Sequence, residues 1–207
     1  MISTTCKPVI AARRCPTVSW KNTVPDVPRP PTSSSAPRIL GVDPGTRVVG
    51  YGLLEVRPAP HGFAYIECGV LRADAQADLM LRVHQLVVSL GEALDEFAPT
   101  EVAMETAFHG LNASSALKLA EARGALRQSC VGRGVAVFEY PPARVKRTVV
   151  GHGRATKHDV QARVGVLCAL QSPPSSDAAD ALAVAICHAH ARLLPPELRS
   201  ASSGGLT

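Results

Sequence analysis

Closely spaced cysteines are missing from this chain. Cys6, Cys15, Cys68, Cys130, Cys168 and Cys187 form no CxxC pair and no zinc-ligand spacing. Neither a zinc ribbon nor a disulfide framework is expected, and reduced thiols in a cytosolic protein fit the scatter. His188 and His190, two apart on a helical segment, do not share a face and are set aside as a metal pair. No apolar run reaches the length that spans a bilayer, which argues against an integral membrane protein. No internal repeat is visible. Aromatic residues make up 4% of the chain. With so few large rings and so much Ala, Val and Leu, the composition suits helices packed on a sheet, and 207 residues suffice for one domain with a proper core.

The formal charge of +5 is misleading as a whole-chain number. Residues 1–38 carry Lys7, Arg13, Arg14, Lys21, Arg29 and Arg38 against Asp26, and the other 169 residues balance 16 bases against 16 acids. Any argument for a polyanionic partner must therefore rest on where charges sit. The first 38 residues are rich in Pro, Ser, Thr and Arg and lack periodicity. That composition fits a disordered leader or linker, an idle extension from a misplaced start codon, or an organelle transit peptide, and does not choose among them.

A folded domain is expected over 39–194, with a flexible tail over 195–207. ILGVD, VVGYGLLEV and FAYIECGVL read as three strands of an antiparallel meander, separated by the Pro44–Gly45 turn and by RPAPHG. Leu79, Val83, Leu86, Val87, Leu90, Leu94 and Phe97 recur at helical spacing, ending before Pro99. EVAME is a short strand, a helix runs from about Asn112 to Val131, and VAVFEY is a fifth strand. Prolines suited to a first turn open PPARVKRTVVG. Thr156 and Asp159 resemble a capping box for a helix to about Leu170, and Ser175 or Ser176 caps a last helix ending near Leu194. Three antiparallel strands followed by alternating helices and strands resemble the ribonuclease-H-like arrangement: α/β, with a central mixed five-stranded sheet flanked by helices.

Four acids stand out. Asp43 and Glu105 each close a short apolar strand, while Asp177 and Asp180 open an apolar helix at i, i+3 spacing and share a face. Each has an ordinary reading, as a turn residue, a solvated strand end or a first-turn helix acid. Together they suggest a polynuclear metal site assembled by folding. Two carboxylates about 4 Å apart repel by roughly 4 kcal/mol at an effective dielectric near 20, so four are hard to rationalise as scaffolding. Hard oxygen donors suit Mg²⁺, and two such ions about 3.5–4 Å apart can activate water and stabilise a leaving oxygen in phosphodiester hydrolysis.

The segments ILGVDPGTRVVGYG, AMETAF, SALKLAEARGAL, VFEYPPARVKRTVVGHGRATKHDVQ and SSDAADALAVAICHAH resemble, in order, the RuvC family of bacterial Holliday-junction resolvases. The resemblance implies a homodimer in which each subunit cuts one of two opposed strands of a four-way junction. It implies two Mg²⁺ per site, with Mn²⁺ as a substitute, and 5′-phosphate and 3′-hydroxyl ends. Asp43, Glu105, Asp177 and Asp180 match its catalytic metal ligands. It also implies partnership with the RuvA–RuvB branch-migration complex, in the cytoplasm.

Between Arg144 and Arg163, six bases face one acid, Asp159. Of these, Lys146, Arg147, Arg154 and Lys157 are expected to contact DNA phosphates, Lys146 and Lys157 near the scissile bond by resemblance. Phe108, three residues after Glu105, is placed to stack on an unpaired base; a small-core anchor is its ordinary alternative. The small residues of the helix around Ser114, Ala120, Gly124 and Ala125 fit a dimer interface or packing on the domain's own sheet. Two other classes compete. A sugar-kinase-like phosphotransferase shares the strand–Asp–x–Gly–Thr phosphate loop, but needs a duplicated domain and a second glycine-rich loop. A junction-binding protein without catalysis would not need the complete acid set.

Overall fold

The computed structural model describes residues 36–58, 62–106 and 112–193. Strand β1 (Arg38–Asp43) pairs antiparallel with β2 (Val48–Val56), which pairs antiparallel with β3 (Phe63–Arg72). Strand β4 (Glu101–Glu105) lies parallel to β1, and β5 (Ala136–Tyr140) parallel to β4, so the sheet order is β3-β2-β1-β4-β5. Helix α1 (Leu79–Phe97) separates β3 from β4, and α2 (Ala113–Gly132) separates β4 from β5. Helices α3 (Pro142–Val150), α4 (Lys157–Leu167) and α5 (Ser176–Arg192) follow the last strand. This is the expected mixed five-stranded α/β arrangement.

Alternation along the strands decides which helices cover which face. Leu40 and Val42 of β1, with Val102 and Met104 of β4, pack into a core with Leu86, Leu90 and Leu94 of α1 and Leu126 and Cys130 of α2. Ile39 and Ala103 point the other way, into a core with Tyr140, Val145 and Val149, Val160 and Val164, and most of α5. By the same period, Asp43 and Glu105 lie on the α5 face, each one residue beyond the paired Val42 and Met104.

Helix ends follow the cap chemistry. Asp78 accepts from the Leu81 N–H at the start of α1, and Ala98 closes it in a left-handed conformation before Pro99. Thr156 and Asp159 form a reciprocal capping box on α4. That helix stops at Leu167, short of the expected Leu170, because Cys168 caps it and Ala169 turns left-handed at φ 51°. Ser175 caps α5 by accepting from Ala178.

Helix α5 is buried almost throughout and lies directly on β1 and β2. Its closeness needs glycine in the sheet. A Cβ on Gly41 would stand 2.0 Å from the Ala181 carbonyl oxygen, and one on Gly50 2.0 Å from that of Asp177. The Ala-rich face of α5 supplies the matching smallness. The start of α5 is thus seated one backbone thickness above the end of β1.

Candidate active site

Asp43, Glu105 and Asp180 arrive from the ends of β1 and β4 and from the first turns of α5. They line one cleft of about 660 Å³ with Thr106, Pro141, Pro142, Lys146, Gly153 and Lys157. Asp177 does not appear on the described walls of that cleft, but its charge acts on Asp43. The Lys157 Nζ lies 3.3 Å from the Asp180 Oδ2. Arg147 is exposed on the outer side of α3 and Arg154 on the loop before α4, neither among the cleft residues. Phe108 lies outside the described residues.

The electrostatics are those of an anionic pocket short of counter-charge. Burial first, then the charges of Asp180, Glu105 and Asp177, push the Asp43 carboxyl up to about 7, against a smaller opposing pull from Lys157. Glu105 is also raised, by burial and then Asp180, with Lys146, Lys157 and Arg123 acting against the shift. Lys157 is held above its ordinary value, chiefly by the Asp180 charge, and stays cationic.

The donor chemistry fits a hard divalent cation: carboxylate oxygens with no His or Cys among the described residues that line the cleft, and a charge deficit that a cation relieves. Among the described residues, however, no three His, Cys, Asp or Glu side chains are already gathered into a metal-holding set. The acids share a pocket, and Asp180 is turned toward Lys157.

Sequence patterns missed three features. Arg123 of α2 reaches across to Glu139 of β5 at 2.6 Å and lines a smaller pocket with Asp43, Pro44 and Glu105. Its buried Nε has no partner among the described residues. Arg82 of α1 donates to the carbonyls of Thr46, at 3.0 Å, and Ala77, at 2.8 Å, clamping the turn after Asp43. Buried His188 bridges the hydroxyl of Tyr140, the β5 residue opposite Glu105, at 2.6 Å and Glu101, at the other end of β4, at 2.8 Å, and Arg192 also pairs with Glu101. These partners lie far apart in sequence and follow no period; an Arg or His on an otherwise apolar helix face was the available hint.

The model of the family described as "Crossover junction endodeoxyribonuclease RuvC" matches residues 39–188. A protein of that name from Halorhodospira halophila is 46% identical over 168 residues, covering 81% of this chain and 97% of the relative. One from Geobacter sulfurreducens is 40% identical, covering 79% and 98%. The Thermus thermophilus RuvC solved in complex with a Holliday junction superposes with a TM-score of 0.70 at 30% identity, covering 82% of this chain and 99% of that one. The matched span runs from β1 into α5 and includes Asp43, Glu105, Asp177 and Asp180, so on sequence, fold and extent the chain belongs to the RuvC family of crossover junction endodeoxyribonucleases.

Proposed function

We propose that this protein is a divalent-metal-dependent endonuclease that resolves four-way DNA junctions as a homodimer, with residues 39–194 as its nuclease unit. The convergence of Asp43, Glu105 and Asp180 on one cleft carries the reading, with Asp43 driven to about 7 by burial and then by its acidic neighbours. Asp43, Glu105, Asp177 and Asp180 are the residues to hold two Mg²⁺ ions, or Mn²⁺ in their place. Bound there, such ions supply a nucleophilic water and neutralise charge on the phosphate.

The chain's own groups do the rest. Lys157 balances Asp180 before loading and, once displaced, is free to bind a phosphate oxygen; with three-quarters of its side chain exposed it is able to swing. Lys146 lines the same cleft from α3 and remains a phosphate anchor. Arg147 and Arg154 extend that basic surface outward along the DNA. Phe108 stacks on an unpaired base at the junction centre. Hydrolysis leaves 5′-phosphate and 3′-hydroxyl ends, which a ligase can seal.

The dimer reading rests on α2. Leu117, Ala120, Glu121 and Gly124 are exposed on one side of it, while Ala122 and Leu126 face the domain's own sheet. The small residues Ala120 and Gly124 beside exposed Leu117 allow close approach of a second copy, and twofold symmetry matches paired nicks to a symmetric junction. The reading extends to handover from a RuvA–RuvB branch-migration complex in the cytoplasm. Among the described residues no helix is long and apolar enough to cross a membrane.

The deciding experiment is incubation with a mobile four-way junction labelled in turn on each strand. Paired symmetric nicks in Mg²⁺, none in EDTA, and none from Asp43→Asn while it still binds the junction are the expected results. Cutting by Asp43→Asn at the wild-type rate refutes the metal site.

A further inference from the structure

Cations at the two ends of this sheet are treated differently. At the end away from the acids, Arg38 donates to the Phe97 carbonyl, Arg57 pairs with Glu55, and Arg192 pairs with Glu101. At the acid-bearing end, Arg47, just before β2, and Arg72 at the end of β3 are exposed. Neither side chain has a hydrogen-bond or ionic partner among the described residues. The register places them side by side, with Val48 opposite Arg72 and the Arg47 carbonyl accepting from the Ala73 N–H at 3.0 Å.

The backbone beneath them is rigid. A Cβ on Gly45 would stand 2.0 Å from the Val48 carbonyl oxygen, so the turn from Asp43 into β2 is closed tightly. Arg82 fastens the same turn to the start of α1 through the Thr46 carbonyl. The nearby Asp74 is engaged in its own turn, accepting from the Gln76 N–H. Across the sheet edge the sequence of groups is Arg72, Arg47, Asp43, Glu105 and then the basic α3 and α4 beyond β5. With strands about 4.8 Å apart, Arg72 stands roughly 10 Å from the β1 line, on the side opposite Lys146 and Lys157.

We propose that Arg47 and Arg72 form a second phosphate-binding arm, which grips the DNA backbone leaving the cleft on the β3 side. This rests on the junction-cleaving reading above. The two flanks bracket an acidic centre, which by itself repels a phosphodiester, and a polyanion held on both sides cannot pivot about one basic arm. Uncompensated arginines on a clamped hairpin are preorganised for such a contact and lose little on making it.

The test is binding of a fluorescent four-way junction in EDTA between 50 and 200 mM salt by wild type, Arg47→Gln/Arg72→Gln, and Arg57→Gln as a charge control at the far sheet end. Each lost phosphate contact flattens the plot of log affinity against log salt by about 0.9, hence by about 1.8 per protomer and about 3.6 for a dimer. The double variant should show that flattening at an unchanged melting temperature, and Arg57→Gln should keep the wild-type slope. A wild-type slope in the double variant, with the wild type binding and cutting junctions normally, overturns this inference and leaves the proposed function standing. Failure of the wild type itself to bind four-way junctions removes both.

Discussion

Asp43 should destabilise the metal-free protein, and removing its charge should strengthen the fold as it abolishes cutting. Its carboxyl is pushed from 3.8 up to about 7 by burial and by Asp180, Glu105 and Asp177. A carboxyl with a raised folded-state value favours the folded state most when protonated. Its contribution is fully present below about pH 4, is lost progressively as pH rises toward 7, and is constant at its low level above that. The whole shift corresponds to about 4 kcal/mol. Asn at this position keeps a buried polar group, so about 2 kcal/mol of net gain is the realistic expectation for Asp43→Asn at pH 8. For a chain of this size that is a rise of roughly 4–8 °C in melting temperature. The assay is thermal or urea unfolding of both proteins at pH 4, 6 and 8 in EDTA, repeated in 10 mM-range Mg²⁺. In EDTA the variant's advantage should be near zero at pH 4 and largest at pH 8. With Mg²⁺ it should shrink, because an ion held by the native site stabilises only the protein that keeps its ligand. An advantage that is absent at pH 8, or does not change with pH, refutes the charge-deficit account of the cleft.

Three further outcomes follow from the geometry. Gly50→Ala drives a methyl group into the Asp177 carbonyl, so the start of α5 must lift; overpacking of this kind should cost about 1–3 kcal/mol in urea titrations, and displacing Asp177 and Asp180 should cut the nicking rate at saturating protein on the order of a hundredfold. Gly124 has open space around its Cβ direction within the chain, so Gly124→Arg should fold with unaltered circular dichroism yet run as a monomer in light scattering and lose paired nicking; a dimer of unchanged mass would rule out the α2 interface. Burial raises Glu101, but the hydrogen bonds and charges of His188 and Arg192 outweigh it and hold its carboxyl below the usual range. Its contribution is therefore present above pH 4.5 and is lost as pH falls through the depressed folded value, so Glu101→Gln should flatten the acid limb of a stability–pH curve below pH 4.5 without altering the metal dependence of cutting.

Much of this architecture was legible because it rests on short-range patterns. Asp43 and Glu105 were legible as acids that close short apolar strands, and the i, i+3 spacing of Asp177 and Asp180 put both on one side of α5. The cap at Thr156 was equally local, and the choice of Ser175 or Ser176 for α5 narrowed to Ser175 in the structure. The Leu167 helix end was not, since nothing in CALQSPP reports that Ala169 will turn left-handed. Glycine roles were also hidden: Gly41 and Gly50 look like ordinary strand residues until α5 is laid across them. The turning of Asp180 to Lys157, and the absence of a ready-made ligand set among the described residues, belong to side-chain geometry that spacing cannot encode.

The contrast between the two ends of the sheet explains why one fold can be both stable and reactive. Glu101 and Glu105 are four residues apart on the same strand and face, and both are partly buried. Glu101 meets His188 and Arg192 and is stabilised as an anion. Glu105 is destabilised as one, by burial first and then by the charge of Asp180. Four residues of β4 and eight residues of α5, from Asp180 to His188, carry the chain from a closed ion network to an open one. A network closed at both ends would leave no reason to take up a cation, and one open at both would forfeit the anchoring that seats α5 on Gly41 and Gly50. The buried His188 end is thus what permits the acids at the other end to remain unsatisfied. On this argument, weakening the anchor through His188→Ala should lower stability while leaving Asp43 as strained as before, so the variant's pH-dependent gain from Asp43→Asn should persist in a double-mutant cycle with near-zero coupling. Strong coupling between positions so far apart would mean that α5 transmits the strain and that the two ends are not independent.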